Sequence, residues 1–279
     1  MAKNMKLEGV DKDAIVFSSF IPDSRALEVG RSFLEVFEKY FSDCDIYIGI
    51  NNGSLDEWED LIIKSSLNIY YEKVQKNLTV DSDASGFQVA LELLKTKGLK
   101  YRLVWFGHTK GATENTPERD QLRKYFINDF FARRKNITSN FMRHKKLGAF
   151  GLDISVLPSS EHGRLDKDLE KIVQLPFKAS NIFYLHTFYV LRGSIVYKFL
   201  KKCKSDFFHK NIVTELGYDR WFFERNFACI AEKQGYYMKY LRRHNHLSDV
   251  PVTRAYVSRL IKKWKKQLPK IKPSFIFHK

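Results

Sequence analysis

The sequence predicts an α/β domain with a mostly parallel central sheet, followed by a basic helical C-terminal extension. Short apolar runs alternate with amphipathic segments through the first 110 residues, which predicts strands and helices in alternation. That order favours right-handed crossovers and therefore parallel strands. An apolar fraction of 44%, with 23 Phe and 14 Tyr in 279 residues, can fill the core of one large domain. We therefore assign the domain to 1–240 and the basic extension to 241–279.

Four strands and three helices are predicted in the first half of the chain. The first strand ends in Ser18-Ser19, and Pro22-Asp23-Ser24 then supplies a turn and a helix cap. Continuous apolar runs predict buried strands, and helical spacing of apolar residues predicts the helices between them. The predicted strands are 14–20, 45–50, 68–73 and 100–104, and the predicted helices are 25–40, 55–66 and 85–97.

The second half of the chain has a less regular pattern. Thr116-Pro117 resembles a helix cap with proline at the first helical position, so a helix is expected after it. We predict strands at 147–157 and 183–191, and helices at 120–134, 195–203 and 218–234.

Positive charge is concentrated near the C-terminus. The net charge is +16, and residues 239–279 contain twelve Lys or Arg against one Asp. A block this basic favours phosphate, either in nucleic acid or on an anionic membrane face. Trp264 and the closing run 275–277 interleave apolar anchors with the charge. This favours a membrane surface over nucleic acid and over a merely solvated helix.

Cysteine usage and the N-terminus indicate the compartment. Cys44, Cys203 and Cys229 are widely spaced and odd in number, which argues against a disulfide framework and a zinc site. Residues 1–13 lack the apolar segment of a signal peptide, and no run of about 18 apolar residues predicts a membrane span. We expect a cytoplasmic protein, peripheral to the inner face of the membrane.

The predicted fourth strand runs into Trp105-Phe106-Gly107-His108-Thr109-Lys110-Gly111. Open α/β sheets bind ligands at the carboxyl ends of their strands. Lys suits phosphate, His can titrate or bind a metal, and Gly lets a ligand approach the backbone. The alternative is a polar loop that binds nothing. No Gly-x-Gly-x-x-Gly or Gly-x-x-x-x-Gly-Lys-Ser/Thr occurs, which disfavours a dinucleotide dehydrogenase and a P-loop enzyme.

These pieces together resemble a known family over residues 14–240. An acidic segment, 80–87, precedes a helix, and Leu103-Val104-Trp105-Phe106 then leads to His108-Thr109-Lys110. Residues 188–193 and 218–224 supply a later strand, a turn and an acidic helix. The chain resembles the rhamnan-synthesis type of glycosyltransferase and related sugar transferases. The resemblance implies a single GT-A-like (Rossmann-like) domain that uses a nucleotide-sugar donor.

One departure from the family pattern concerns the metal. The acidic Asp-x-Asp expected after the fourth strand is absent, and His-Thr-Lys stands in its place. Asp81-Ser82-Asp83 has the right residues but precedes the helix. Use of Mn²⁺ or Mg²⁺ is therefore left open. Asp83 and, more weakly, His246 are the metal-ligand candidates, with a helix cap and a phosphate contact as the respective alternatives.

The donor site expected from the resemblance centres on His108 and Lys110. These two residues would face the diphosphate, while Ser18 and Ser19 lie near the nucleotide. Asp83 would bind the ribose, the sugar or a metal. A transferase must offset the charge of the leaving diphosphate, which a metal or basic side chains can do.

Candidates for the catalytic base and the acceptor site come from the second half. Asp219 or Glu224 would act as base on the acceptor hydroxyl, although Asp219 could instead cap a helix and Glu224 could form a structural ion pair. Arg192 and Gly193 would line the acceptor site, or form a plain turn between a strand and a helix.

The leading hypothesis is a glycosyltransferase that moves a sugar from a nucleotide-sugar donor to a glycan or lipid-linked acceptor in surface polysaccharide synthesis. An alternative is a nucleic-acid-binding protein or nuclease that uses the basic C-terminal region. A third interpretation is a non-catalytic adaptor that retains the transferase fold.

Overall fold

Ten strands and seven α-helices make up the described parts of the computed structural model, which cover residues 11–75, 84–98, 100–109, 116–156, 182–202, 223, 230–241 and 249–251. The strands are β1 (Ala14–Ser19), β2 (Asp45–Ile50), β3 (Asn68–Lys73), β4 (Leu103–His108), β5 (Leu147–Leu152), β6 (Ile154–Val156), β7 (Ile182–Tyr184), β8 (Tyr189–Arg192), β9 (Tyr237–Leu241) and β10 (Asp249–Pro251). The helices are α1 (Ser24–Phe41), α2 (Asp56–Lys64), α3 (Ala84–Lys97), α4 (Pro117–Tyr125), α5 (Arg134–Arg143), α6 (Gly193–Lys202) and α7 (Ile230–Lys233).

Eight of these strands form one mixed sheet in the order β10-β9-β5-β8-β4-β1-β2-β3. Strands β1, β2, β3 and β4 are parallel to one another, and β5 and β9 run in the same direction. Only β8 and β10 run the opposite way among the eight strands described in this sheet. The predicted α/β class with a mostly parallel sheet is confirmed. Residues 252–279 of the basic extension lie outside the described residues.

The sheet is covered on both faces. Alternate residues of β1 and β4 point to opposite sides, as the twofold repeat of a strand requires. Val16 and Phe106 pack with α3 and α6, whereas Phe17 and Trp105 pack with α1, α2 and α5. Strands β1, β2, β4 and β5 are buried along their whole length, which explains why they appear in the sequence as continuous apolar runs.

Local sequence explains where the helices begin. The Asp23 side chain accepts a hydrogen bond from the Ala26 amide at 2.7 Å and caps α1. The Thr116 side chain caps α4 in the same way, with Pro117 at the first helical position. Both caps lie on the connections that leave the carboxyl ends of β1 and β4.

Two long strands predicted in the second half are interrupted. The strand predicted at 147–157 breaks at Asp153, whose φ of 35° ends β5 and starts β6. β6 then pairs with β7 in a separate two-stranded sheet. A short 3₁₀ turn, Leu185–Thr187, interrupts the strand predicted at 183–191. Backbone angles at single residues decide these breaks, and apolar spacing does not report them.

The helix predicted at 120–134 is also divided. A π-helical turn, Phe126–Phe130, and a 3₁₀ turn, Phe131–Arg133, separate α4 from α5. Phe126, Phe130 and Phe131 are all fully buried. A regular α-helix would direct Phe131 about 100° away from Phe130. The wider π turn changes the phase of the helix where the three rings enter the core.

The strand predicted at 100–104 is displaced towards the C-terminus. β4 runs from Leu103 to His108, so His108 itself belongs to the strand and not to a loop after it. Trp105 and Phe106 are buried on opposite faces of the sheet, which favours continuation of the strand. Of the helix predicted at 218–234, only Phe223 and residues 230–234 are described. None of the described helices is both long enough and apolar enough to cross a membrane.

Candidate functional site

Polar or small residues occupy one level at the carboxyl ends of three neighbouring strands. The register pairs Ser18 of β1 with Gly49 of β2 and with His108 of β4. From β1 the chain continues to β2 and β3 on one side, while β4 lies on the other side. This reversal of strand order is a topological switch point, where open α/β sheets form a ligand-binding crevice. Of the predicted donor-site residues, Ser18, Ser19 and His108 meet here.

Thr109 joins the two connections that leave the switch point. Its amide donates to the Ser18 carbonyl oxygen at 3.1 Å. Its hydroxyl accepts from the Phe20 amide at 2.9 Å. Thr109 is 5% exposed, so these bonds are shielded from water. The exit of β1 and the exit of β4 are therefore fixed to each other immediately before Lys110.

Asn51 organises the end of β2. Its side-chain amide donates to Ser18 Oγ at 3.0 Å and to the Ser19 carbonyl oxygen at 2.9 Å. Its side-chain oxygen accepts from the Gly86 amide at 3.1 Å, in the first turn of α3. Asn51 is 2% exposed. One buried amide thus connects β1, β2 and the start of α3.

Two glycines allow α3 to approach the strand ends closely. A Cβ atom at Gly49 would lie 1.9 Å from the Gly86 carbonyl oxygen. A Cβ atom at Gly86 would lie 2.3 Å from Ser18 Oγ and 2.8 Å from Asn51 Nδ2. All three distances are below van der Waals contact, so neither position accepts a side chain unless its surroundings move.

Ser18 and Ser19 have structural partners. Trp58 Nε1 donates to Ser19 Oγ at 3.0 Å, and Asn51 binds Ser18 Oγ. Both serines are fully buried. They lie at the predicted edge of the sheet, but their hydroxyl groups support the connections around the crevice within the fold.

His108 is a buried histidine enclosed by aromatic rings. Its ring lies 5.3 Å from Phe188 and 6.1 Å from Phe87, measured between centroids, and the residue is 3% exposed. His108 Nε2 lies 2.9 Å from the carbonyl oxygen of His186. Because a carbonyl oxygen can only accept, this bond requires a proton on Nε2. The bond fixes the orientation of the ring at the end of β4.

The segment that accepts this bond has an unusual backbone. His186 and Thr187 have φ angles of 67° and 57°, in the left-handed region. That region is uncommon for residues other than glycine, and a β-branched threonine there is an outlier. Each such residue costs roughly 1–3 kcal/mol. Strained residues of this kind concentrate at functional sites, and here one of them, His186, accepts the hydrogen bond from His108.

An aromatic stack holds the strained turn in place. Phe126 of the π turn lies 4.0 Å from Phe188, with ring planes 11° apart, and 5.5 Å from the ring of His186. Phe188 also packs against His108. The π turn, the strained turn and the end of β4 therefore form one packed unit.

Arg192 and Gly193 lie beside the amino-terminal end of β4, whereas His108 lies at its carboxyl end. Strand β8 is antiparallel to β4 and pairs Arg192 with Leu103, at the start of β4. The Arg192 guanidinium donates to the carbonyl oxygens of Phe141, His144 and Leu147 at 2.5–2.8 Å. Burial lowers the pKa of Arg192. Because β8 ends where β4 begins, the structure does not bring Arg192 and Gly193 together with His108, and their role in an acceptor site stays a prediction.

The remaining predicted site residues, namely Asp83, Lys110, Asp219, Glu224 and His246, lie outside the described residues. Phe223, which directly precedes Glu224, is described. It is 4% exposed, its ring lies 5.1 Å from Phe87, and its carbonyl oxygen accepts from Tyr189 at 2.9 Å. Phe87 thus contacts both His108 and Phe223.

No group of three His, Cys, Asp or Glu side chains within the described ranges could hold a metal ion. The two candidates from the sequence, Asp83 and His246, are not among these residues. The residues described at this edge do not supply a complete metal site.

Sequence reasoning missed three residues of this site. Asn51, Gly86 and His186 were not singled out, although each leaves a trace in the sequence. Asn51 follows a buried strand that contains Gly49, and a glycine inside a strand often marks a close approach of two backbones. His186 is the one histidine of the apolar run 181–191. Its left-handed backbone could not have been recognised from the sequence.

No family model matches the chain, and no curated protein matches it. Comparison with solved structures found a CMP:2-keto-3-deoxy-manno-octonic acid synthetase complexed with CTP, at 9% identity and a TM-score of 0.41 over 92% of this chain and 99% of that one. It also found TarS 1–349 of S. aureus, at 10% identity and a TM-score of 0.35 over 67% of this chain. The matched part spans 48% of that TarS chain.

A further similar structure is the mannosyltransferase Ktr4p from S. cerevisiae, at 10% identity and a TM-score of 0.32. The match covers 80% of this chain and 65% of that one. All three TM-scores are below 0.5. The proposal that follows therefore rests on the geometry of this chain.

Proposed function

We propose that this protein is a glycosyltransferase that takes a sugar from a nucleotide-sugar donor. The observation that carries the proposal is the position of His108. It ends β4 at the topological switch point, level with Ser18 and beside the first turn of α3. Ligands of open α/β sheets bind in this crevice. The strained turn at His186–Thr187, which orients His108, supports a functional role for the same place.

Offsetting the charge of the leaving diphosphate is the chemical task assigned to His108 and Lys110. Thr109 is fixed to the exit of β1 by two hydrogen bonds, and Lys110 is the next residue. A lysine ammonium group is a point charge suited to phosphate. His108 would contact the diphosphate through its other ring nitrogen, Nδ1, because Nε2 is bonded to the His186 carbonyl oxygen. Mn²⁺ or Mg²⁺ bound with the help of Asp83 is a further contribution that a metal-dependence assay resolves.

We assign the catalytic base to Asp219 or Glu224. A base is required if the acceptor hydroxyl attacks directly, because its proton must leave as the new bond forms. Phe223 packs on Phe87, which also contacts His108. Phe223, which lies between the two candidates in the sequence, therefore packs close to the site.

We further propose a glycan or lipid-linked acceptor in the synthesis of a surface polysaccharide. The basic region 239–279, with Trp264 among its charges, would hold the enzyme at an anionic cytoplasmic membrane face. Binding to liposomes that contain anionic lipid, and not to neutral liposomes, is the expected result.

The experiment that tests the function is a thermal-shift screen with UDP-, GDP-, CMP- and dTDP-sugars, with and without Mn²⁺. At least one donor should raise the melting temperature, since a ligand that binds only the folded state stabilises it. Hydrolysis or transfer is then measured with that donor, and His108→Ala should abolish most of it. If no donor binds and His108→Ala changes nothing, the proposal is wrong.

Nucleic-acid binding is the second candidate, and the charge of the C-terminal region favours it. It predicts an affinity for DNA or RNA that falls steeply as salt is raised. Absence of binding at low salt would remove this candidate.

A further inference from the structure

Two arginines from different helices meet over one aspartate at the carboxyl edge of the sheet. Arg25 Nη2 lies 3.6 Å from Asp120 Oδ1, and Arg123 Nη2 lies 3.0 Å from the same oxygen. The side chains of Arg25 and Arg123 are 32% and 17% exposed, and that of Asp120 is 41% exposed. We refer to these three residues as the arginine pair and its aspartate.

Both arginines lie on the connections that leave the switch point. Arg25 is the second residue of α1, which follows the carboxyl end of β1. Arg123 belongs to α4, which follows the carboxyl end of β4. The positive end of the α1 dipole adds to the charge at this position. The arginine pair therefore flanks the crevice that His108 and Ser18 mark.

The aspartate that Arg123 shares with Arg25 leaves part of the Arg123 guanidinium without a hydrogen bond to any described residue. One carboxylate faces two guanidinium groups, and Arg123 Nη1 is buried with no hydrogen-bond partner in the described part of the chain. An unsatisfied buried donor costs about 1–3 kcal/mol, and more when it is charged. An anion that draws the guanidinium towards it would relieve that cost.

Arg134 lies near the amino-terminal ends of the strands and shows how a structural arginine in this fold is surrounded by hydrogen-bond acceptors. Its Nη2 lies 3.0 Å from Asp43 Oδ2 and 3.2 Å from Asp13 Oδ2. Its Nη1 donates to the Tyr40 carbonyl oxygen at 2.7 Å. Two carboxylates and a carbonyl oxygen therefore surround the Arg134 guanidinium, and Arg102 shares one of them, Asp13. Arg123, in contrast, has a buried Nη1 without a hydrogen bond in the described part of the chain.

We infer that Arg25 and Arg123 bind the diphosphate of the nucleotide sugar. This inference rests on the proposed function and adds the residues that hold the leaving group. A guanidinium presents planar, paired donors that match phosphate oxygens, so two of them can clamp a diphosphate. Asp120 keeps the two side chains extended towards each other before the donor binds.

The arginine pair acts in the transfer step as follows. The bond between the sugar C1 and the diphosphate oxygen breaks, and its electron pair stays with the diphosphate. The acceptor oxygen forms a bond to C1, and its proton passes to the base. Arg25 and Arg123 offset the charge that develops on the leaving diphosphate. The nucleoside diphosphate is then released as the second product.

Packing couples Arg123 to the histidine site. Arg123 lies one helical turn before Phe126, and Phe126 contacts both His186 and Phe188. The His186 carbonyl oxygen holds the His108 ring. A chain of packed rings thus connects the helix that carries Arg123 to the His108 imidazole at the end of β4.

The test measures the binding of UDP, GDP, CDP and dTDP to the full chain by calorimetry, in EDTA. For the nucleoside diphosphate that binds most tightly, Arg123→Gln and Arg25→Gln should each weaken binding about tenfold to a hundredfold, the range for loss of a charged hydrogen bond. The matching nucleoside should bind all variants equally. Arg133→Gln is the matched control, because Arg133 also pairs with an aspartate on the preceding turn, at 3.2 Å, and is 24% exposed.

A second variant is expected to bind the diphosphate more tightly, a result that misfolding could not produce. Asp120→Asn removes the internal competitor for both guanidinium groups from a partly exposed position, and should tighten diphosphate binding severalfold. If the unaltered protein binds no nucleoside diphosphate, the proposed function fails. If it binds one, and Arg123→Gln and Asp120→Asn both leave the affinity unchanged, the arginine pair is not the diphosphate site and the proposed function stands.

Discussion

Ser18 and His108 are direct partners across the ladder between β1 and β4. The two strands therefore end at the same level, and both side chains point towards the face that carries α3. A shift of one residue in this register would turn His108 to the opposite face. The amide of Thr109 bonds to the Ser18 carbonyl oxygen and continues the ladder by one step. The position of the candidate site thus follows from register.

Substitution of His108 should separate function from folding. His108→Ala removes the ring and leaves the His186 carbonyl oxygen without this donor, so we expect kcat for donor hydrolysis to fall about a hundredfold. His108→Asn retains an N–H group and should fold with a higher melting temperature than His108→Ala.

Steady-state kinetics and thermal melting check this prediction. His144→Ala, a change of an exposed histidine side chain at the other edge of the sheet, serves as the control and should keep full activity. Full activity of His108→Ala in the folded state would contradict a role for this residue.

Gly86→Ala should destabilise the protein although alanine favours helices. The added Cβ would lie 2.3 Å from Ser18 Oγ and 2.9 Å from the Gly49 carbonyl oxygen. Such overpacking costs about 1–3 kcal/mol. Thr96→Ala, at an exposed position of the same helix, should be neutral or slightly stabilising. Urea unfolding measures both changes, and a Gly86→Ala protein as stable as the parent would contradict the close approach of α3.

Arg192→Leu should lower stability without an effect on donor binding. The change leaves three carbonyl oxygens around the C-terminal end of α5 without their charged donor. A hydrogen bond to a charged group contributes about 1.5–3 kcal/mol. Because the contributions of neighbouring bonds do not add fully, we expect the free energy of unfolding to fall by about 2–4 kcal/mol.

Chemical denaturation and nucleotide titration of the folded variant provide the two measurements for Arg192→Leu. Arg143→Leu, at an exposed position of α5, is the control. A fall in donor affinity confined to Arg192→Leu would show that this residue reaches the ligand after all.

Acid should weaken the ion pair between Arg134 and Asp43, near the amino-terminal ends of the strands. A hydrogen bond from Arg134 lowers the pKa of Asp43 below its ordinary value, despite the opposing effect of burial. A carboxyl group with a lowered folded-state pKa contributes stability above its unfolded pKa of about 3.9. That contribution is lost as pH falls through the folded pKa.

Asp43→Asn should therefore be less stable than the parent at neutral pH, with a difference that shrinks below about pH 4. Urea unfolding between pH 7 and pH 2 follows the difference. Glu35→Gln removes one exposed carboxylate from α1 and serves as the control for net charge. A difference that stays constant with pH would exclude Asp43 as its source.

The first half of the fold was predictable because its signals are local. The strand predicted at 45–50 and that at 68–73 match β2 and β3 residue for residue, and 25–40 lies within α1. Continuous burial of a parallel strand produces an unbroken apolar run, and Asp23 caps the helix from within the sequence. In the second half, apolar spacing could not report the left-handed residues or the π turn, since these arise from packing between distant segments.

By itself, the sequence determined that strands and helices alternate, which of them are buried, and that His108 follows an apolar strand. Only the tertiary structure decided that β8 inserts between β4 and β5 and runs antiparallel to both, which places Arg192 beside the start of β4 and away from His108. It also decided that Arg25 and Arg123 meet over Asp120, although they are far apart in the chain. Apolar periodicity encodes which side of a segment is buried. Which distant segments contact each other depends on how all the segments pack together, and a local sequence pattern carries no information about that.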